Sequence, residues 1–215
     1  MSQYTDLRVM MVDTQVRPSD VTKFPIIEAM LAIPREAHVP QDRRAAAYVG
    51  GSVDLGNGRE VLEARTLAKL LDALDIQPSE TVLDVGAGLG YGAAVIARLS
   101  ASVVALEEDA ALAEGAKAAL AGTGNVAVVA GALAAGHAAS GPFDVILVEG
   151  GVEQVPAGLL AQLKEGGRIG AVFMEGALGT VKVGLKTDGR ISWRYAFNAT
   201  APILPGFAVA RGFVL

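Results

Sequence analysis

The segment from Thr81 to Tyr91, TVLDVGAGLGY, holds the residues whose types and spacing could do chemistry: one carboxylate, Asp84, followed by Gly86, Ala87, Gly88 and Gly90. Val82, Leu83 and Val85 suit a strand covered on both faces. The glycines let the backbone turn sharply and approach a ligand closely, at the mouth of a helix that offers free N–H groups. Strand, glycine turn and helix in that order make a nucleotide-cofactor seat. Dinucleotide folds want G-x-G-x-x-G, but the sixth position here is Tyr91, whereas G-x-G-x-G placed two residues after Asp84 fits throughout. The spacing favours S-adenosylmethionine (SAM) over a nicotinamide dinucleotide.

The following strand supplies the expected acid. Ser102 to Leu106 is apolar and runs into Glu107, Glu108 and Asp109. A carboxylate about 20 residues past the glycines can accept hydrogen bonds from both hydroxyls of a ribose, and Glu107 is the first candidate, with Glu108 beside it. The plainer reading is that these acids cap the helix starting near Ala110, where negative charge favours the N-terminal end. For Asp84 the plainer reading is a carboxylate satisfied by the N–H groups of its own loop.

Composition narrows the chemistry. The chain has no cysteine, which excludes disulfides, thiolate metal ligands and a cysteine nucleophile, and it has two histidines, so zinc is not expected. His38 reads as a structural histidine and His137 lies in an Ala/Gly-rich loop with no visible partner; no residue is assigned a catalytic role. A formal charge of −5 argues against affinity for nucleic acid, and Arg43 and Arg44 read as a solvated pair. Apolar runs are too short to span a bilayer and the N-terminus lacks a signal peptide's apolar centre, so a cytoplasmic protein without membrane contact is expected.

The elements that must position these residues fall into two parts. Residues 1–80 read as a helical lead broken by Pro18, Pro25, Pro34 and Pro40, with Gly50 to Gly58 as a loop and Val61 to Leu74 as an amphipathic helix. From Thr81 the pattern alternates: strands at 82–85, 102–106, 125–129, 143–148 and 167–173, with helices at 91–99, 110–120 and 156–163. This predicts a doubly wound α/β fold, Rossmann-like, with a parallel sheet at its centre. Antiparallel strands are expected at 179–184, 190–197 and 207–214, the first two joined by Asp188-Gly189 and the last inserted into or beside the sheet. Residues 1–80 and 81–215 are expected to form one compact unit. Asp144 reads as a hydrogen-bonding residue at a strand start, Phe143 and Ile146 as core, and Trp193 and Tyr195 as packing on one strand face.

In the same order, MVDTQVRPSDV, AMLAIPREAHVP, the tyrosine of AAAYVG, VLDVGAGLGYGAAVIARL, VVALEED, PFDVILVEGG and LKEGGRIG resemble the segments of the protein-L-isoaspartate O-methyltransferases over nearly the whole chain. The resemblance implies a seven-stranded fold and a SAM-dependent enzyme that methylates the free α-carboxyl of isoaspartyl residues in a protein or peptide, which starts their repair. By it Asp84, Gly86, Gly88 and Gly90 correspond to the loop at the methionine end of SAM, and Glu107 to the ribose acid. SAM then crosses the carboxyl ends of the first two strands, with its adenine near Gly131, Ala132 and a strand ending at Val148-Glu149. Departures fall nearer the acceptor. The family's Thr-Ile-Ser-Gln-Pro appears as Glu60-Val61-Leu62-Glu63-Ala64, so Leu62 stands where a serine hydroxyl is expected. Ala132 stands where the family has an acid, and the C-terminal element reads APILPGF. Arg59 or Arg65 could pair with those acids or with a substrate carboxylate, an exposed ion pair being the plainer reading. Other readings are a divergent methyltransferase with another acceptor, including a small molecule, and a SAM-binding protein without turnover.

Overall fold

The computed structural model describes residues 3–210. The chain opens with α1 (Gln3–Met11), short helical turns and α2 (Phe24–Ala32), passes through a hairpin of β1 (Val53–Gly56) and β2 (Arg59–Val61), and continues into α3 (Ala64–Leu74). Then follow β3 (Thr81–Val85), α4 (Tyr91–Ile96), β4 (Ser102–Glu107), α5 (Ala110–Ala119), β5 (Val126–Ala130), β6 (Phe143–Val152), α6 (Ala157–Leu160), β7 (Leu163–Glu175), β8 (Leu178–Thr187) and β9 (Arg190–Asn198).

Strands β3 to β9 form one seven-stranded sheet in the order β5-β4-β3-β6-β7-β8-β9. It is parallel from β5 to β7 and antiparallel at β8 and β9. The chain runs outward from β3 through β4 to β5 and then returns to β6 on the other side of β3. That reversal opens a crevice beyond the carboxyl end of β3, where open α/β sheets bind ligands. Val82, Leu83, Val85, Val145, Ile146 and Leu147 are buried, as central strands covered on both faces require. Asp144 ties the starts of two neighbours together, accepting from Thr81 N (2.8 Å) and Oγ1 (2.9 Å) and pairing with Lys164. No helix among the described residues is long and apolar enough to cross a membrane.

Helix α3 lays Leu67, Leu70, Leu71 and Leu74 on the sheet, all at most 1% exposed. Gly170 of β7 makes room for them, since a Cβ there would lie 2.9 Å from Leu70 Cδ2 and 3.2 Å from Leu74 Cδ1. Leucines set against bare backbone bring α3 close to the sheet, and burying one such side chain contributes about 1.5–3 kcal/mol.

Several expectations are corrected. Gly50 to Gly58 is not all loop: its second half makes the β1–β2 hairpin, turning at Asn57 and Gly58 with φ of 53° and 70°. That is the left-handed pair of a type I′ turn. Asp188-Gly189 makes the same turn between β8 and β9, with φ of 51° and 71°, as its sequence signalled. The helix expected from Val61 starts at Ala64, because Val61 belongs to β2, and the helices after the glycine turn and after Pro156 are shorter than expected. No strand forms at Phe207 to Ala210, and the rest of that expected strand lies outside the described residues. Instead Pro202 to Leu204 runs along the end of β6, with Gly151 N donating to Pro202 O (2.7 Å) and Leu204 N to Gly151 O (2.9 Å). Trp193 packs edge-on against Phe173, with centroids 4.8 Å apart, but Tyr195 is exposed. The register of β8 against β9 shifts beside Tyr195, between Val181 and Lys182.

Leu70→Ala should cost ~2–5 kcal/mol, because the cavity it leaves faces rigid strand backbone that cannot collapse into it. Urea unfolding is the check: the midpoint should fall while the slope stays constant, and an unchanged midpoint would contradict this packing.

Candidate cofactor site

The glycine turn after β3 has the backbone its sequence requires. Gly86, Gly88 and Gly90 take φ of 84°, 56° and 84°, a region that side-chain-bearing residues avoid. Gly86 N and Ala87 N both donate to Leu106 O at the end of β4, at 2.9 and 3.2 Å, so the turn is fastened to the neighbouring strand. His38, buried, steadies the turn from the other side: its Nδ1–H donates to Leu89 O at 2.9 Å and its ring meets Tyr91 edge-on. Burial holds that imidazole below its usual range. His38 is thus a structural residue of the loop, while His137 is remote from it, with Nδ1 against Ser140 Oγ.

Glu107, the last residue of β4, lies directly beneath this turn and is fully buried. Its Oε2 accepts from Gly88 N at 2.7 Å. Its Oε1 accepts from Glu108 N (2.8 Å), Asp109 N (3.0 Å) and Arg59 Nη1 (2.6 Å). Arg59 is 4% exposed and also donates from Nη2 to Gly86 O at 2.9 Å. The expectation that Arg59 pairs on an exposed helix face is therefore overturned: it lies on β2, pointing inward onto the turn. Arg65 does make the exposed pair, with Glu63 at 3.5 Å. Of the acids beside Glu107, Asp109 caps α5 through Ala111 N and Leu112 N. Glu108 does not cap that helix and reaches Leu133 N at 3.4 Å. Gly131 is held beside this end of β4 by its N–H to Glu107 O (3.0 Å), and Ala132 follows it, exposed.

Asp84 departs from its plainer reading. It is fully buried, and neither oxygen receives a hydrogen bond from an N–H or O–H group among the described residues. Its neighbour is Glu149 of β6, which the sequence reading placed only at the adenine end of a strand. The strand in fact continues to Val152, and Glu149 turns inward over Gly92. A Cβ on Gly92 would lie 1.8 Å from Glu149 Oε1, so only glycine admits that carboxyl. Burial raises Asp84 to about 7, helped by the nearby Glu107 charge, and burial together with the Asp84 charge raises Glu149 well above its usual range. Keeping a proton on the pair avoids two like charges in the interior.

Arg35 is the buried cation on the far side of this pair, and nothing in the sequence singled it out. Its Nε donates to Ala47 O and its Nη2 to Leu62 O, both at 2.7 Å, and its guanidinium lies 4.7 Å from the centre of the Tyr91 ring. Leu62 is buried at 1% exposure and gives this network only its carbonyl. The acids flanking it face elsewhere, Glu60 toward Ser52 and Glu63 toward Thr66.

A doubly wound sheet with a glycine turn at its switch point and a buried acid ending the next strand defines the Rossmann-like methyltransferase architecture. The sequence profile of the protein-L-isoaspartate(D-aspartate) O-methyltransferases matches residues 10–194, and the chain belongs to that family. A protein-L-isoaspartate O-methyltransferase of Methylorubrum extorquens is 40% identical over 165 residues, spanning 76% of this chain and 72% of that protein. One of Syntrophus aciditrophicus is 37% identical over 79% of this chain and 78% of its own length. Among solved structures, a protein-L-isoaspartate O-methyltransferase superposes with a TM-score of 0.80 at 25% identity, over 95% of this chain and 66% of that one. A Plasmodium falciparum chain, named as a candidate member of the same enzyme class and solved with S-adenosyl-L-homocysteine, superposes with a TM-score of 0.79 at 18% identity over 95% of this chain. At that identity the likeness is one of fold.

The buried carboxyl pair has a pH signature. An acid whose folded pKa is raised keeps its proton longer in the native state than in the unfolded chain. Asp84 therefore favours folding most below its ordinary value of 3.8, and that contribution is lost as pH rises to about 7. Asp84→Asn, which cannot ionise, should flatten the fall in thermal midpoint between pH 5 and 8 by ~2–4 °C or more, equivalent to ~1 kcal/mol. Parallel wild-type and variant profiles would show that Asp84 is ionised throughout.

Proposed function

We propose that this chain is a SAM-dependent methyltransferase that esterifies the free α-carboxyl of isoaspartyl residues in proteins or peptides, with Asp84, Gly86, Ala87, Gly88, Gly90, Glu107, Glu108, Gly131 and Ala132 about the cofactor. One observation carries the cofactor half of this reading: the Gly88 N–H and the Glu107 carboxylate meet at 2.7 Å, bringing together the loop and the acid that such a cofactor needs. The residues present fit the group. Three glycines at positive φ leave bare backbone at the switch point, and the side chains crossing it, Leu55, Arg59 and Leu204, belong to the β1–β2 hairpin and the C-terminal segment rather than to the sheet. The Plasmodium falciparum chain of the same fold was solved with the demethylated form of that cofactor.

When bound, SAM supplies an electrophilic methyl group, which a carboxylate acceptor can take without a general base. The work left to the protein is placement. Glu107 orients the nucleoside by its ribose, the glycine turn accommodates the amino-acid end, and Gly131 and Ala132 border the base. Residues 1–80 form the substrate side in this reading, with the rest of the chain carrying the cofactor. Leu62 brings no hydroxyl to the acceptor, so backbone groups and Arg35 must hold that end of the site in shape. The absence of cysteine goes with a cytoplasmic setting, since the fold uses no disulfide.

Two outcomes are expected. Labelled SAM should transfer its methyl group to an isoaspartyl peptide and not to the aspartyl twin, with volatile methanol released on alkaline hydrolysis; equal or absent labelling of both peptides would contradict the acceptor assignment. Glu107→Gln, which keeps the shape but not the charge, should weaken binding of S-adenosylhomocysteine tenfold or more, about 1.4 kcal/mol, by calorimetry. Unchanged affinity would remove the ribose role from Glu107.

A further inference from the structure

Glu107 can receive about four hydrogen bonds on its two oxygens, and four donors already reach it: three backbone N–H groups and Arg59. The backbone donors belong to the glycine turn and to the end of β4 and are fixed by the fold. Arg59 is not; it comes from β2, in a two-stranded sheet separate from the main one. The same hairpin sends Leu55 over the turn, where its Cδ1 lies 2.7 Å from the position a Cβ on Gly88 would take. The C-terminal segment adds Leu204, whose Cδ1 lies 3.1 Å from the corresponding point on Gly86, with Arg59 Nη2 at 3.0 Å. The bare face of the glycines is thus covered by two peripheral segments, with a cation on the acid.

We propose that Arg59 is an internal competitor for the cofactor's ribose seat: the nucleoside binds Glu107 only after Arg59 has left it and the β1–β2 hairpin has lifted from the glycine turn. The inference rests on the reading of Glu107 as the ribose acid. Three features make the hairpin the part that yields. Its strands are four and three residues long, its tip is held to the body by Asn57 Nδ2 to Asp109 Oδ2 at 3.2 Å, and Arg59 Nε has no hydrogen-bond partner among the described residues. Beside the tip, Asn57, Gly58, Glu153 and Leu204 border a surface cavity of about 540 Å³, so the tip has room to move while Val53 and Val61 hold the base of the hairpin in the core. A ribose hydroxyl takes the place that Arg59 leaves, so Glu107 keeps four donors after Arg59 has gone. Because only the open fraction binds, the closed state weakens the apparent affinity by that fraction. Arg59 thereby sets how tightly the enzyme holds its donor without being part of the bound site.

The test is calorimetric titration of S-adenosylhomocysteine into wild type and Arg59→Gln, each shown folded by circular dichroism and a cooperative melt. Tightening by fivefold or more in the variant is expected; a merely structural arginine would loosen binding when removed. Equal or weaker binding in the variant overturns the competition while leaving the cofactor reading intact. Absence of binding in both folded proteins overturns the cofactor reading and the competition with it. Should Arg59→Gln not fold, hydrogen exchange of the wild type decides: saturating S-adenosylhomocysteine should speed exchange of the amides of residues 53–61, and unchanged or slower exchange there overturns the proposal.

Discussion

Glu107 is a carboxylate taken wholly out of water, and its need for donors ties together segments that are distant in the chain. The end of β4 supplies two amides, the glycine turn after β3 supplies a third, and the β1–β2 hairpin supplies a guanidinium. Removing any partner of a buried charge is costly, typically ~3–5 kcal/mol when an ion pair is broken from one side. The turn keeps its shape because Gly88 answers that carboxylate and because Leu106 O takes the two amides before it. Local glycine chemistry permits the turn; the buried acid selects it.

The same economy extends to the rest of the crevice. Three carboxyl side chains, Asp84, Glu107 and Glu149, are buried within one region, against the two buried guanidinium groups of Arg35 and Arg59. Proteins avoid isolated interior charges, either by pairing them or by leaving acids protonated. Glu107 follows the first course, and the Asp84–Glu149 pair follows the second, with burial pushing both carboxyls upward. A crevice with this balance is responsive: shifting one cation changes the charge that every neighbouring acid sees. Of the two cations, Arg59 is the one carried by a short hairpin outside the main sheet.

Much of the fold was legible because its signals are local. Apolar runs, glycine turns and the Asp188-Gly189 dipeptide each act within a few residues, and they gave the alternation, the second hairpin and every strand of the main sheet, with one strand too many at the C-terminal end. Asn57-Gly58 carries the same left-handed pair as Asp188-Gly189, yet the glycines around it and the brevity of β1 and β2 masked it as loop. The acid after β4 and the glycine turn were legible for the same reason. What escaped the sequence is contact across the fold. Glu149 and Gly92 lie far apart in the chain, and no periodicity tells that one fills the space the other leaves. Arg35 sits in an unremarkable helical segment, and only tertiary structure places it over Tyr91. The inward turn of Arg59 depends on the register of a hairpin that had not been read, and the C-terminal run APILPGF, which the sequence left as a connection before a last strand, serves as a strap along β6.

In the reading proposed above, the acid beneath the glycine turn anchors the cofactor, and Arg59 stands in its place when no nucleoside is there. A crystal structure grown with S-adenosylhomocysteine tests it most directly. The ribose should lie on Glu107 by its hydroxyls, with the Gly88 N–H still on the same carboxylate and Arg59 withdrawn with its hairpin. A nucleoside bound elsewhere, or bound at the turn with Arg59 still on Glu107, would contradict it.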